Sequence, residues 1–502
     1  MDEETPIKFK SIDLIWMFTV DLIHPIKNLN EAINRIAASK YCDGSLNYYT
    51  AEDRIKGIGE LKIYCQDDSR KDYCNKLLDL FLNTDFYTLD EDYLEARSFV
   101  RFILKDIKLK FPFYEKFFNV QVLLTVSSLG IGVFSFWASI DEGIDSKTIA
   151  RLQILPMEET GNISAELPIE LLEELSILDS DYKAVYEKRK AQNKNVFRLK
   201  EINFEAIIGY YWYTIINRLY NFKFKSQSEI SDQLRCESYC VFPIVLIHSK
   251  EYKYADELIK EKPKQLYQIL SHMYNIDYTL ILSDILDEFL TPNITERRDI
   301  AYLDALGSVL LIFGSETKKI IKKQMKYDNK IVSVESEYQK MIIEAFIIIE
   351  ILQIQRQYFN FLTQILTRPI AEMSPKEISI IRSYLSKALD MYHGNVTGNS
   401  LARKRMNHGK DIMEIDESFD MVNEKMELLG DALSSFNDLR TSFFEIALGL
   451  ILGIVPLFYI FSPFQDSIMN SIFAITITIS IILIFTLLSR WYWRNIKRKE
   501  IK

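Results

Sequence analysis

Along most of this chain apolar residues recur at the spacing of a half-buried helix or strand, but near the C-terminus two stretches are apolar on every side. The first is Phe443 to Phe461 (FFEIALGLILGIVPLFYIF), with one charge at Glu445; the second is Ile472 to Ser489 (IFAITITISIILIFTLLS), with none. Each has about the ~20 residues needed to cross a ~30 Å hydrocarbon layer as a helix, which satisfies its own backbone polar groups there. The pattern predicts a transmembrane hairpin of helices 443–461 and 472–489, joined by an outer loop 462–471 that carries Asp466, Met469 and Asn470. Beyond it, Arg490, Arg494, Lys497, Arg498, Lys499 and Lys502 follow an aromatic belt of Trp491, Tyr492 and Trp493. By the positive-inside rule this basic tail, 490–502, stays in the cytoplasm, and the short outer loop keeps the bulk of the chain there too. The expected location is the inner (cytoplasmic) membrane with both termini cytoplasmic.

Upstream, Ile412, Ile415, Phe419, Val422, Met426, Leu429, Leu433 and Phe436 keep a strict 3,4 alternation. Such heptads predict a stalk helix, 411–442, packed against copies of itself and continuous with the first span, a rod of roughly 75 Å. A second stripe, Gly430, Ser434, Asn437 and Thr441 with Glu445 beyond it, is small or polar. In a ring of helices that stripe would line a pore, where hydroxyls, amides and a carboxylate replace ion hydration; a merely solvated face is the plainer reading. Gly449 and Gly453 form a G-x-x-x-G helix-packing pair.

The preceding 330 residues read as a mixed α/β domain. Gln121 to Ile140 alternates around Gly130 and Gly132 as a β-hairpin. Val241 to His248 and Leu306 to Phe313 are strand candidates, the former at a sheet edge because of Pro243. Glu91 to Phe111, Pro168 to Leu178 and Phe204 to Tyr220 have helical periodicity. From residue 331 to 410 the pattern is a helical hairpin: Tyr338 to Thr367 ends at Arg368-Pro369, and Ser374-Pro375-Lys376-Glu377 is a capping box that starts a second helix. The predicted fold is therefore an α+β cytoplasmic domain, a long helical stalk and a two-helix transmembrane hairpin.

Composition narrows the function. A net charge of −9 argues against direct binding of duplex nucleic acid, which needs a basic face. Five cysteines, irregularly spaced, suit a reducing compartment. Cys236 and Cys240 are at most half of a metal site, and buried thiols are the plainer reading. No phosphate-loop, dinucleotide-binding, metalloprotease or nucleophile-elbow motif occurs, so an enzyme is not expected. Arg297 and Arg298 before one candidate strand, and Lys318, Lys319, Lys322 and Lys323 after it, are candidates to hold an anionic ligand such as a nucleotide phosphate; a solvated lysine-rich face is the alternative.

The order of these elements, from large N-terminal domain to basic tail, resembles the CorA-type two-transmembrane metal-ion transporters. The resemblance implies an oligomeric funnel, a pentamer in that family, with the first span lining the pore. The family's Gly-Met-Asn signature at the outer end of that span is missing: Ser462-Pro463-Phe464 stands there, and the nearest echo is Met469-Asn470. That departure is more similar to a divergent branch associated with type III CRISPR systems. Its implication is a membrane channel or effector in antiviral defence, gated by a nucleotide second messenger bound in the cytoplasmic domain. A transporter of divalent cations and a non-conducting membrane anchor or scaffold are the alternatives.

Overall fold

β-branched and aromatic residues fill the longest strands so densely that both faces of one sheet are apolar. The computed structural model describes residues 5–23, 26, 29–46, 63–65, 72, 81, 99–114, 116–155, 163–178, 180–221, 236–290, 297–305, 307–327, 333–367, 369, 373–393 and 400–461. Its strands are β1 (Lys8–Phe9), β2 (Ile12–Asp21), β3 (Cys42–Leu46), β4 (Ile63–Cys65), β5 (Phe99–Lys110), β6 (Phe118–Ser127), β7 (Ile131–Ile140), β8 (Ile144–Asp145), β9 (Ile163–Pro168), β10 (Val196–Ile202), β11 (Cys236–His248), β12 (Ile300–Ala305) and β13 (Ser308–Phe313). Nine of them run in the order β10-β9-β5-β6-β7-β2-β11-β13-β12, with β3 and β4 branching from β5. All of these pairings are antiparallel except β11 with β13.

Even-numbered residues of the central strands, among them Trp16, Phe18, Val122, Phe134 and Phe136, face a helical layer. That layer is built chiefly from α1 (Leu29–Ala37), α2 (Ser146–Ile154), α3 (Ile169–Leu178), α4 (Ser180–Ala191), α5 (Phe204–Tyr220), α6 (Ala255–Glu261), α7 (Pro263–Leu270) and α8 (Ser283–Leu290). α5 buries most of its surface and keeps Glu205, Asn217 and Arg218 at half-buried positions. Asn203 caps its start by accepting from the Ala206 amide at 2.9 Å, and Asn221 ends it at φ 54. After α9 (Thr317–Tyr327) comes α10 (Val334–Leu366), which covers the odd-numbered face. Phe346 of α10 stacks on Trp137 of β7 with ring centroids 6.0 Å apart, and Glu350 accepts from Arg101 of β5 and Thr125 of β6.

The chain closes with α11 (Pro375–His393), α12 (Ser400–Ile412) and α13 (Ile415–Phe461). The capping box is formed as expected: the Ser374 amide donates to Glu377 Oε2 at 2.8 Å, and the Glu377 amide to Ser374 Oγ at 3.2 Å. The described residues of 1–358 with 393–416 form one compact unit, and those of 359–392 with 417–461 a second.

Several sequence expectations are corrected. The helix expected at Glu91 to Phe111 is strand β5 from Phe99 onward: it is covered on both faces, so its apolar run carries no clean period of two. β11 is not an edge strand. Pro243 pairs with Trp16 of β2, and the parallel pairing with β13 begins only at Ile244, so the missing N–H breaks no bond on that side. The stalk helix is not continuous from Asp411: α12 ends at Ile412, Glu414 takes φ 56, and α13 starts at Ile415. Among the described residues no helix is long and apolar enough to cross a membrane. This overturns the two-helix transmembrane hairpin with its first span at 443–461, the CorA-like funnel organised around it, and the inner-membrane location. Upstream of 443, on the segment read as the stalk, Glu417, Asp420, Glu424, Glu427, Asp431 and Asp438 are exposed on α13. The outer loop 462–471, the second span 472–489 and the basic tail 490–502 lie outside the described residues, as do the side chains from Leu450 onward.

Candidate functional site

On the face of the sheet that α10 covers, alternate residues along three adjacent strands change from apolar to polar at one end. Along β2 the row runs from Met17 and Ile15 to Asp13 and then Ser11. Along β6 it runs from Leu123 to Gln121 and Asn119, and along β7 from Trp137 to Ser139. A sheet face buried against a helix has no packing use for such a rim. Here the rim floors a cleft of about 1140 Å³ whose far wall is the start of α10, including Tyr338, Gln339 and Ile342.

The ends of the parallel pair β11 and β13 enter the cleft with His248 and Phe313. His248 Nε2 lies 2.8 Å from Asp13 Oδ2, and Nδ1 lies 2.5 Å from the Tyr338 hydroxyl. Burial, reinforced by the charges of Asp13 and Glu335, pushes the Tyr338 phenol well above its ordinary range. The hydroxyl is therefore protonated, and the imidazole bridges it through Nδ1 to the Asp13 carboxylate through Nε2. Ser139 Oγ donates to the other oxygen of Asp13. The imidazole lies flat on Phe313 at 5.7 Å, and Tyr338 meets the same ring edge-on at 5.0 Å. Lys318 of α9 lies 4.8 Å from the Tyr338 ring centroid and 2.5 Å from Glu335 Oε2.

A chain Ser139–Asp13–His248–Tyr338 thus runs from the sheet to α10. Both imidazole nitrogens are engaged by protein groups, so neither is offered to a substrate in this arrangement. The geometry suits a latch between sheet and helix better than a general base, which needs a free nitrogen within reach of its proton.

Gly314 begins the turn from β13 into α9. A methyl group there would meet the Lys253 carbonyl oxygen at 2.2 Å, so only glycine permits the approach. Its amide donates to Asp299 O at 2.7 Å, and the Ser315 and Glu316 amides donate to Tyr252 O and Lys253 O at 2.9 and 3.3 Å.

The basic set expected to hold an anion is only partly gathered here. Lys318 lines the cleft. Arg297 is bound to Asp299 at 2.7 Å, Arg298 to Asp256 at 3.0 Å and Lys319 to Glu316 at 2.6 Å. Lys322 and Lys323 are exposed on α9. Of the stripe assigned to a pore, Ser434, Asn437, Thr441 and Glu445 are exposed on α13 and Gly430 is half-buried. Among the described residues, a methyl group on Gly430 or Gly449 would meet no atom within 4 Å, so neither is a close-packing point there. Gly453 falls in α13, while Asp466, Met469 and Asn470 lie outside the described residues. Among the described residues no group of His, Cys, Asp and Glu side chains could hold a metal ion.

Sequence reasoning missed Asp13, His248 and Tyr338 as a site. The available signal was polarity at the ends of otherwise apolar strands: Ser11 and Asp13 before LIWMFTV, and His248 after VFPIVLI. No family model matches this chain, nor does any curated protein or solved structure, and the likeness to CorA-type transporters rests on the order of sequence elements alone.

Proposed function

We propose that this chain is a ligand-responsive regulatory protein and not an enzyme, in which a nucleotide-type small molecule in the cleft resets the Asp13–His248–Tyr338 chain and thereby the start of α10. The observation that carries this is the latch itself. One imidazole with both nitrogens engaged joins a polar cleft floor to the first turns of a 33-residue helix that crosses the sheet. An occupant that competes for Tyr338 or Asp13 favours one arrangement of α10 over another, and only such differential contact shifts an equilibrium. The aromatic walls and carboxamides of the cleft suit a heterocycle, the kind of ligand expected of a nucleotide-gated effector.

The output belongs to the helical segments. In α13 Ile415, Val422 and Leu429 are buried at heptad spacing, while the adjacent Met421 and Leu428, also seven apart, are 42% and 45% exposed. In this reading those residues contribute to a homo-oligomer.

Hydrogen exchange of residues 334–343 tests the proposal, measured with and without mononucleotides, dinucleotides and cyclic nucleotides, beside a Tyr338→Phe variant. A nucleotide is expected to change protection of this segment, and Tyr338→Phe to lower it without ligand. If no nucleotide alters exchange and Tyr338→Phe leaves α10 as protected as before, the latch reading fails.

A further inference from the structure

Resting on the reading that the cleft takes a nucleotide, we infer that the cleft holds the base by its edge, and that the ligand is a nucleoside or nucleoside monophosphate rather than a polyphosphate. Charge is the first argument. Among the described residues, Asp13, Asp106, Asp141, Glu142 and Glu335 line the cleft, against Lys116, Lys250 and Lys318. Two of these ammonium groups are already committed to cleft carboxylates, Lys116 to Glu142 at 2.6 Å and Lys318 to Glu335 at 2.5 Å. A triphosphate would bring three or four negative charges into a net-negative space, where repulsion is stronger than in bulk water.

The backbone makes the same point. A turn from a strand into a helix is where phosphate is usually cradled by free amides. In the turn from β13 into α9, the amides of Gly314, Ser315 and Glu316 already donate to carbonyls of Asp299, Tyr252 and Lys253.

What the cleft does offer is an aromatic wall with carboxamides around it. Trp137 is backed by Phe346, and Gln121 is its cross-strand partner in the β6–β7 register. Gln121 Nε2 is buried and, among the described residues, has no hydrogen-bond partner. Asn119 and Gln339 add two more carboxamides to the lining. A carboxamide presents a donor and an acceptor side by side, which matches the paired edge of a nucleobase, and an indole supplies a stacking surface for any base.

Titration calorimetry with adenosine, guanosine, cytidine and uridine, their 5′-monophosphates and their 5′-triphosphates tests this, with exchange of residues 334–343 followed on the same samples. At least one nucleoside or monophosphate is expected to bind, with its triphosphate weaker by about tenfold or more. Gln121→Leu, close in shape, is expected to weaken that ligand by about tenfold while leaving ligand-free exchange unchanged. Trp137→Leu provides a second variant for the stacking contact, expected to weaken every bound base. A triphosphate that binds more tightly than its nucleoside and protects α10 overturns this inference but keeps the sensor. A base that binds equally well to Gln121→Leu and Trp137→Leu overturns it too, and silence from every probe overturns both.

Discussion

Glu350 offers the sharpest test of how α10 is held on the sheet. Its side chain is fully buried, and it accepts from Arg101 Nε at 2.8 Å, from the same guanidinium through Nη2, and from Thr125 Oγ1. Arg101 is itself only 5% exposed, and its guanidinium lies 5.5 Å from the centroid of the Phe81 ring. Arg101→Met keeps most of the packing volume but takes from the buried Glu350 carboxylate its charged partner, which costs about 3–5 kcal/mol. Glu350→Met takes the carboxylate away from a buried guanidinium at a similar cost. The double variant removes both charges and fills the space with apolar groups, so most of that loss returns, because desolvating the pair consumed much of its attraction. With a urea slope of about 3 kcal/mol/M, each single change lowers the midpoint by roughly 1 M or more and the double by much less. The assay is urea unfolding read by hydrogen exchange at β5 and β6, which isolates this unit in a chain where two-state behaviour of the whole is not expected. A single variant that costs under about 1 kcal/mol, or a double variant as damaging as the two singles added, would refute the reasoning.

Gly314→Ala forces a methyl group into the Lys253 carbonyl and within 2.9 Å of Tyr254 Cα, contacts with backbone that cannot rotate away; thermal melts are expected to show a loss of about 1–3 kcal/mol. Two buried groups titrate with opposite sign. Burial raises the Asp304 carboxyl to about 6 although His408 lies 3.0 Å away, so its stabilising protonated form is present at low pH and is lost as pH rises from the ordinary carboxylate value through about 6. Burial lowers the His272 imidazole to about 4, so its stabilising neutral form is lost as pH falls from the ordinary histidine value through about 4. Melts between pH 4 and 6.5 should therefore become more stable with rising pH in Asp304→Asn than in the parent chain, and less so in His272→Asn, which tolerates the φ of 60 at that position; slopes unchanged by either substitution would refute the assignment. Ser374→Ala removes one half of the capping box and is expected to cost the start of α11 about 1 kcal/mol, visible as faster exchange at residues 375–379 and absent in Ser374→Thr.

Local chemistry made several elements legible. The hairpin of β6 and β7 follows from alternation around Gly130, which takes φ 83 in the turn, and α5, α10 and the Ser374 capping box follow from period and cap residues. These are short-range properties, and the chain carries them wherever it folds. β5 was misread because burial on both faces erases the period-two signal, and the fate of Pro243 depended on where its neighbour strand begins. The long apolar runs near the C-terminus predicted a spanning hairpin, whereas the described helices give none that could cross a membrane.

The residues themselves fixed the hairpin, the caps and the amphipathic rods, because those depend on atoms within a few positions of one another. The cleft was decided by tertiary structure alone. Asp13 and His248 are 235 positions apart, and His248 and Tyr338 another 90. They meet because β2 pairs with β11 and α10 is drawn across the sheet by Glu350 and Phe346. No spacing in the chain encodes that meeting: it is set by strand register and by which helix covers which face, both of which are settled when apolar surfaces find their partners.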